Sequence, residues 1–146
     1  MRTDDRMIVY LDTSSLVKLY VEEDESSRVD ALVRSSKVTA TSLIAYAEAR
    51  AAFARRFREK AFTTAEYNSL KVFFEKDWGR YFVLQLTADM IRLAGDLAEK
   101  HALRGFDSIH LASALPLRQE LSSSVVFSCF DGSLQKAAEC EDLKQG

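Results

Sequence analysis

Four acidic side chains lie beside or within apolar runs, where a carboxylate is unfavourable for folding. They are Asp12 in MIVYLDTSS, Glu48 in SLIAYAEARAAF, Asp107 in RGFDSIHLASAL and Asp131 in VVFSCFDGSL. Removing a charged group from water is costly unless the group is paired, hydrogen-bonded or bound to a cation. Because we expect no buried Lys or Arg to match these acids, the pattern favours one shared site for a divalent cation.

Each acid also has an ordinary structural interpretation when it is considered alone. Asp12 and Asp131 stand before helix-like segments and could be N-caps that accept backbone N–H groups. Asp107 could be a first-turn acid favoured by the helix dipole. Glu48 could lie at the rim of the core, with its stem covering apolar side chains and its carboxylate in water. Only the four acids together favour a metal site.

The elements that must position these acids alternate between short apolar strands and helices. Strands are predicted at residues 7–11, 37–41, 81–86 and 124–130, and helices at 16–20, 27–34, 42–60, 63–76, after Thr87, at 106–117 and after Gly132. This alternation predicts an α/β/α sandwich, with a central parallel sheet flanked by helices. Ligands bind beyond the carboxyl ends of such strands, where Asp12 and Asp131 fall.

Length and composition set the class of protein. A chain of 146 residues with 47% hydrophobic residues fits one domain, which we expect over residues 7–146 after a disordered extension at 1–6. A net charge of −2 gives no general electrostatic case for nucleic-acid binding. Two cysteines and the lack of a signal-like or membrane-spanning apolar stretch predict a cytoplasmic protein without contact with a membrane.

The same four segments resemble the acidic motifs of PIN-domain ribonucleases, in particular the VapC toxins of toxin-antitoxin pairs. LDTSSLVKLY resembles the opening strand and turn of that family, and AYAEA resembles its central helical Glu. GFDSIHLASAL resembles the Asp-x-Ile-His-Leu-Ala helix, which is the most specific of the motifs, and FDGSLQKAA resembles the closing Asp motif. The resemblance spans nearly the whole chain.

This resemblance implies a function and a set of site residues. Asp12, Glu48, Asp107 and Asp131 would be the catalytic acids that bind Mg²⁺ or Mn²⁺, and Ser14 would support them. The activity would be hydrolysis of RNA by a type II toxin, which a cognate antitoxin protein neutralises and which forms a homodimer. One departure is Cys129, at a position where the family often has Thr or Ser.

Two other functions remain open from the sequence. One is a catalytically silent PIN-like module that binds RNA or protein, although retention of all four acids disfavours it. The other is a phosphatase with an aspartyl nucleophile at Asp12, which is disfavoured because Ser14 replaces the second Asp of the Asp-x-Asp start typical of those enzymes.

Further residues have both a functional and a structural interpretation. A basic stretch on the helix of Glu48 could guide RNA phosphates, but we favour a solvated helix face; it comprises Arg50, Arg55, Arg56, Arg58 and Lys60. His110 is one turn from Asp107 and could hydrogen-bond a carboxylate, but we expect a structural role. We expect Trp78 and the Phe73–Phe74 pair to belong to the core.

Overall fold

The computed structural model describes residues 7–120 and 124–146, which form five parallel strands flanked by helices. The strands are β1 (Ile8–Leu11), β2 (Val38–Ser42), β3 (Phe82–Leu84), β4 (Val125–Ser128) and β5 (Lys144–Gln145). They pair in the order β3-β2-β1-β4-β5, and every pairing is parallel. The predicted fold class is therefore confirmed. The predicted disordered extension at 1–6 lies outside the described residues.

Helices cover both faces of the sheet. They are α1 (Thr13–Lys18), α2 (Ser26–Ser35), α3 (Ile44–Arg58), α4 (Thr64–Trp78), α5 (Ala88–His101), α6 (Gly105–Ala114), α7 (Leu117–Glu120) and α8 (Gly132–Cys140). Side chains alternate between the faces of a strand, so Ile8 and Tyr10 of β1 join a core with α5, α6 and α8. Val9 and Leu11 join a second core with α1 to α4. A strand buried on both faces is a continuous apolar run, which explains IVYL.

The chain order of the strands creates a crevice above the middle of the sheet. From β1 the chain adds β2 and then β3 on one side, whereas β4 and β5 lie on the other side of β1. Neighbouring connections therefore leave the sheet in opposite directions beyond β1 and β4, which is where open parallel sheets bind ligands. The backbone N–H of Asp12 donates to the carbonyl of Ser128 at 3.1 Å and joins the two strand ends.

The structure differs from the sequence predictions at several points. The helix predicted at 106–117 divides into α6 and α7 near Pro116, because proline lacks the N–H that would continue the helical hydrogen bonds. The two-residue edge strand β5 has no apolar run and was not predicted. Phe74 is fully buried as expected, but Phe73 is 62% exposed, since adjacent helical residues point in different directions.

No helix in the part of the chain that the structure describes is long and apolar enough to cross a membrane.

Candidate functional site

Asp12 lies at the carboxyl end of β1 and is the N-cap of α1. Its carboxylate accepts the backbone N–H of Ser15 at 2.9 Å and the hydroxyl of Ser14 at 2.8 Å. The side chain is only 5% exposed, and this burial raises the pKa of Asp12; the charge of Asp107 acts in the same direction. His110, Ser15 and Ser14 oppose the rise. The capping interpretation of Asp12 is correct, and it leaves the carboxylate at the mouth of the crevice.

Asp131 follows β4 and caps α8 in the same manner. Its carboxylate accepts the backbone N–H of Leu134 at 3.2 Å. Cys129 gives this carboxylate no hydrogen bond: its thiol contacts the backbone carbonyl of Asp131 at 3.9 Å, and burial raises the pKa of Cys129 to about 12. The departure from the family pattern therefore leaves Asp131 held by the helix backbone.

Glu48 extends from α3 to the same end of the sheet and is held by two side chains. Thr13 donates its hydroxyl to Oε1 of Glu48, and Nε2 of His110 lies 3.1 Å from the same oxygen. Burial alone would raise the pKa of Glu48, but the hydrogen bonds to His110 and Thr13 outweigh burial and lower it. Glu48 therefore has fixed partners and is not the free rim acid that its apolar helix face also allowed.

Asp107 lies in the first turn of α6 and pairs with Arg104, which immediately precedes the helix. The Nε and Nη2 atoms of Arg104 each lie 3.1 Å from Oδ2 of Asp107. The guanidinium side chain is 81% exposed, whereas that of Asp107 is 15% exposed. The expectation that no buried Lys or Arg matches the acids is not contradicted, because Arg104 is exposed, but this residue borders the apolar run and was not considered as a partner of Asp107.

The four carboxylates line one cleft of about 250 Å³, together with Thr13, Ser14, Arg104, His110 and Phe130. Among the described residues that line this cleft, four carboxylates face a single guanidinium, so the cleft is anionic and rich in oxygen donors. Mg²⁺ and Mn²⁺ bind best to such a hard oxygen set. The predicted residues are thus brought together, and their roles as ligands stay predictions.

The carboxylates share the cleft without closing around a common point. Among residues 7–120 and 124–146, no three His, Cys, Asp or Glu side chains are grouped closely enough to hold a metal ion. Two of the acids have other partners in the cleft: Arg104 pairs with the carboxylate of Asp107, and Thr13 and His110 hold that of Glu48. A cation at this site would have to compete with Arg104 for Asp107.

Four residues that line the cleft were not predicted as parts of the site, namely Thr13, Arg104, His110 and Phe130. Arg104 and Thr13 flank two of the acids in sequence, and their polar types were a signal that could have been used. His110 was given a structural role, which is correct in that it is 2% exposed and its Nδ1 lies 2.8 Å from the hydroxyl of Tyr10. Its other ring nitrogen nevertheless holds Glu48, so His110 connects the core to the cleft.

Two hollows adjoin the cleft, and a third lies apart from it. One hollow of about 400 Å³ shares Glu48, Arg104 and Asp107 with the cleft, and another of about 460 Å³ shares Thr13 and Glu48 and extends to Arg55 and Arg58. The larger third hollow, of about 780 Å³, is lined by the segment that follows α1 and by side chains of α3 and α4, and by none of the four acids. We place the chemistry in the acidic cleft because it brings together the four predicted acids beyond β1 and β4, whereas the larger hollow contains none of them.

Comparisons with known proteins agree with this fold and cleft. The family model of the PIN domain matches residues 9–139. Ribonuclease VapC45 and ribonuclease VapC49, from two strains of Mycobacterium tuberculosis, are each 41% identical over 108 residues, which cover 74% of this chain and 75% of the relative.

Solved structures with the same fold include two at low sequence identity. VapC20 of Mycobacterium tuberculosis, a toxin that cleaves the sarcin-ricin loop, has a TM-score of 0.64 and 18% identity over 88% of this chain and 94% of its own. VapBC2 of Rickettsia felis, bound to a promoter DNA fragment, has a TM-score of 0.62 and 16% identity over 96% and 98%. These structures support the fold. The family match and the 41% identity show that the chain belongs to the PIN-domain family and, within it, to the VapC ribonucleases.

Proposed function

We propose that the chain is a metal-dependent endoribonuclease that hydrolyses phosphodiester bonds of RNA, and that it is the toxin of a type II toxin-antitoxin pair. The observation that carries the proposal is that four carboxylates from separate segments line one cleft beyond β1 and β4. The VapC ribonucleases that are 41% identical to the chain support RNA as the substrate. We place the catalytic domain at residues 7–146.

The chemistry of the cleft fits Mg²⁺ or Mn²⁺. We assign binding of the cation to Asp12, Asp107 and Asp131, with Glu48 binding either the cation or one of its waters. Such a cation, when bound, polarises a phosphate and makes its bound water a stronger nucleophile near neutral pH. The excess of carboxylates over the single guanidinium supports this assignment, since a divalent ion stabilises negative charges that line the same cleft.

The side chains around the acids prepare them for this role. Ser14 and the Ser15 N–H fix the carboxylate of Asp12, which leaves less conformational freedom to lose when a ligand binds. The lowered pKa of Glu48 keeps it ionised, so that it can accept a hydrogen bond from an attacking water and orient it toward the phosphate. The buried ring of His110 limits the directions that this carboxylate can take.

The partners of this activity follow from the family. We propose that a cognate antitoxin protein covers the cleft and that two copies of the chain associate as a homodimer. A toxin-antitoxin complex from Klebsiella pneumoniae, which shares the fold, supports an antitoxin partner. We expect the activity in the cytoplasm, where the RNA substrate is.

Cleavage of a labelled pool of total RNA tests the proposed function. The full chain, purified without antitoxin, is incubated with Mg²⁺, with Mn²⁺ and with EDTA, beside Asp107→Asn. We expect discrete products with either metal, none with EDTA, and none with the variant. The Asn side chain keeps the size of Asp107, and the fold should survive because the pair with Arg104 lies at the surface.

The outcomes separate the competing functions. Products that persist in EDTA, or in Asp107→Asn, would contradict the assignment of the cleft. An absence of cleavage with both metals, combined with retained binding of RNA, would favour the silent module instead.

A further inference from the structure

An exposed aromatic ring lies directly beside one of the cleft acids. Phe106 precedes Asp107 in the first turn of α6 and is 58% exposed. Later residues of α6 are buried against the sheet, among them His110 and Leu111, and Phe106 belongs to neither hydrophobic core. Burying a Phe side chain usually stabilises a fold, so the fold forgoes a contribution that this ring could make.

The hollow next to the acidic cleft gives this ring a defined neighbourhood. Phe106 lines it with Gly105 and Ile109, and its volume of about 400 Å³ falls in the range of small-molecule pockets. Glu48, Arg104 and Asp107 line both the hollow and the cleft, so the two spaces are continuous. A substrate that places its phosphate at the acids would therefore place a neighbouring group against Phe106.

The charges around the hollow indicate what that group is. Arg104 presents a guanidinium that is mostly in solvent and that pairs with Asp107 at the border of the hollow. Guanidinium groups bind phosphates in a bidentate manner, and aromatic rings stack on bases of any sequence. A cation and an exposed ring on the same short segment are complementary to one nucleotide, which combines an anionic phosphate with a flat base.

We propose that Phe106 stacks on an unpaired RNA base next to the scissile phosphate and that Arg104 binds the phosphate of the same nucleotide. The choice of RNA as ligand rests on the proposed function. The base must be unpaired, because both faces of a base inside a duplex are covered by its stacked neighbours, whereas bases in single-stranded loops can be splayed onto aromatic side chains. Phe106 is then a specificity-determining residue that selects single-stranded sites.

Fluorescence of 2-aminopurine tests the stacking. Short single-stranded oligomers of uridine and of adenosine, each with one 2-aminopurine, are titrated with the full chain in Mg²⁺. The chain carries Glu48→Gln in this experiment, which prevents cleavage of the oligomers. We expect the fluorescence to be quenched as the ring stacks. Phe106→Ala should remove most of the quenching and weaken binding by on the order of 10-fold, which is typical of one lost base–aromatic stack.

Two control variants separate stacking from a general loss of structure. Phe106→Tyr keeps a ring and should keep the quenching. Phe73→Ala removes a comparably exposed ring on α4, which lines a hollow without any of the four acids, and should leave quenching and affinity unchanged. No quenching by the chain with Phe106 intact, or equal quenching by Phe106→Ala, would overturn the proposal.

The role of Arg104 has its own measurement. Arg104→Gln should reduce the slope of log affinity against log salt by about 0.7, the value for one lost phosphate contact to a single strand. An unchanged slope would overturn the phosphate contact. If Phe106→Ala and Arg104→Gln bind like the parent while cleavage of total RNA still requires Asp107, the stacking inference fails and the proposed function stands. If no RNA is cleaved but Phe106 still quenches the fluorescence, the stacking inference stands and the proposed function fails.

Discussion

Nε2 of the buried His110 lies 3.1 Å from Oε1 of Glu48, so a residue of α6 holds a carboxylate of α3 in the acidic cleft. The other ring nitrogen of His110 lies 2.8 Å from the hydroxyl of Tyr10 in β1. Through this histidine the sheet, α6 and α3 share one network. The orientation of Glu48 therefore depends on the packing of the core.

His110→Ala should affect both stability and cleavage. It leaves the Tyr10 hydroxyl without this partner, and we expect a loss of about 1 to 3 kcal/mol in the free energy of unfolding, measured in urea. Cleavage should fall by roughly 10- to 100-fold because Glu48 is released from its fixed position. Leu111→Val is the matched control, since it trims the packing of the same helix without a contact to Glu48. Equal losses of cleavage in both variants would contradict a positioning role for His110.

Two substitutions of Asp12 should have the same effect on RNA cleavage but different effects on the free energy of unfolding. Asp12→Asn keeps an N-cap acceptor for the Ser15 N–H and removes a buried charge, so the free energy of unfolding should be unchanged or higher while cleavage is abolished. Asp12→Ala should also abolish cleavage, but it should cost about 0.5 to 2 kcal/mol through the lost cap. Urea unfolding and RNA cleavage measure the two effects. Retained cleavage in Asp12→Asn would show that this carboxylate is not required.

The basic end of α3 can be tested by charge reversal. Arg56 is paired with Glu23, whereas Arg55 and Arg58 are exposed and line the hollow that adjoins the cleft through Glu48. If these arginines bind phosphates, Arg55→Glu and Arg58→Glu should each remove at least one phosphate contact. The slope of log affinity for RNA against log salt should then fall by about 0.7 for each contact. Arg34→Glu on α2 is the control. Slopes equal to that of the control would support the solvated helix face.

Acidification should reveal the ion pairs of Glu141. Hydrogen bonds to Lys100 and His101 lower the pKa of this carboxyl group below its ordinary value. A lowered pKa in the folded state means that the contacts stabilise the fold above the unfolded pKa and are lost as the pH falls through the folded one. The parent should therefore lose more stability than Glu141→Gln as the pH falls below about 4.5.

The pH dependence of the free energy of unfolding, measured in urea, checks this. Glu139→Gln, which changes an exposed acid on α8, is the charge-matched control and should follow the parent. Parallel curves for the parent and Glu141→Gln would exclude a stabilising role for these ion pairs.

The sequence predicts the fold best where burial leaves a strong pattern. Strand β1 is central and buried on both faces, so its four residues form a continuous apolar run that predicts a buried strand. The edge strand β5 is two residues long and polar, and its pairing with β4 depends on the tertiary fold. The end of α6 near Pro116 could have been predicted from the proline itself.

The sequence predicts the acids of the candidate site but not the side chains that contact them. Its acids stand out because each interrupts or borders an apolar run. The contacts that orient these acids leave no such pattern, because Thr13 and His110 lie 35 and 62 positions from Glu48 in the sequence. The raised pKa of Asp12 is likewise a product of the fold, since burial is its main cause and repulsion by Asp107 is secondary.

The most direct test of a single cation site is the melting temperature of the purified full chain in millimolar Mn²⁺ or Mg²⁺, against sodium chloride of equal ionic strength. We predict that either divalent ion raises the melting temperature, since a ligand that binds only the folded state adds about 2.7 kcal/mol at 100 times its Kd. The rise should disappear in Asp12→Asn and Asp107→Asn and grow in Arg104→Gln, which removes the competing guanidinium. No rise in the parent, or an equal rise in both Asp→Asn variants, would contradict a shared cation site in this cleft.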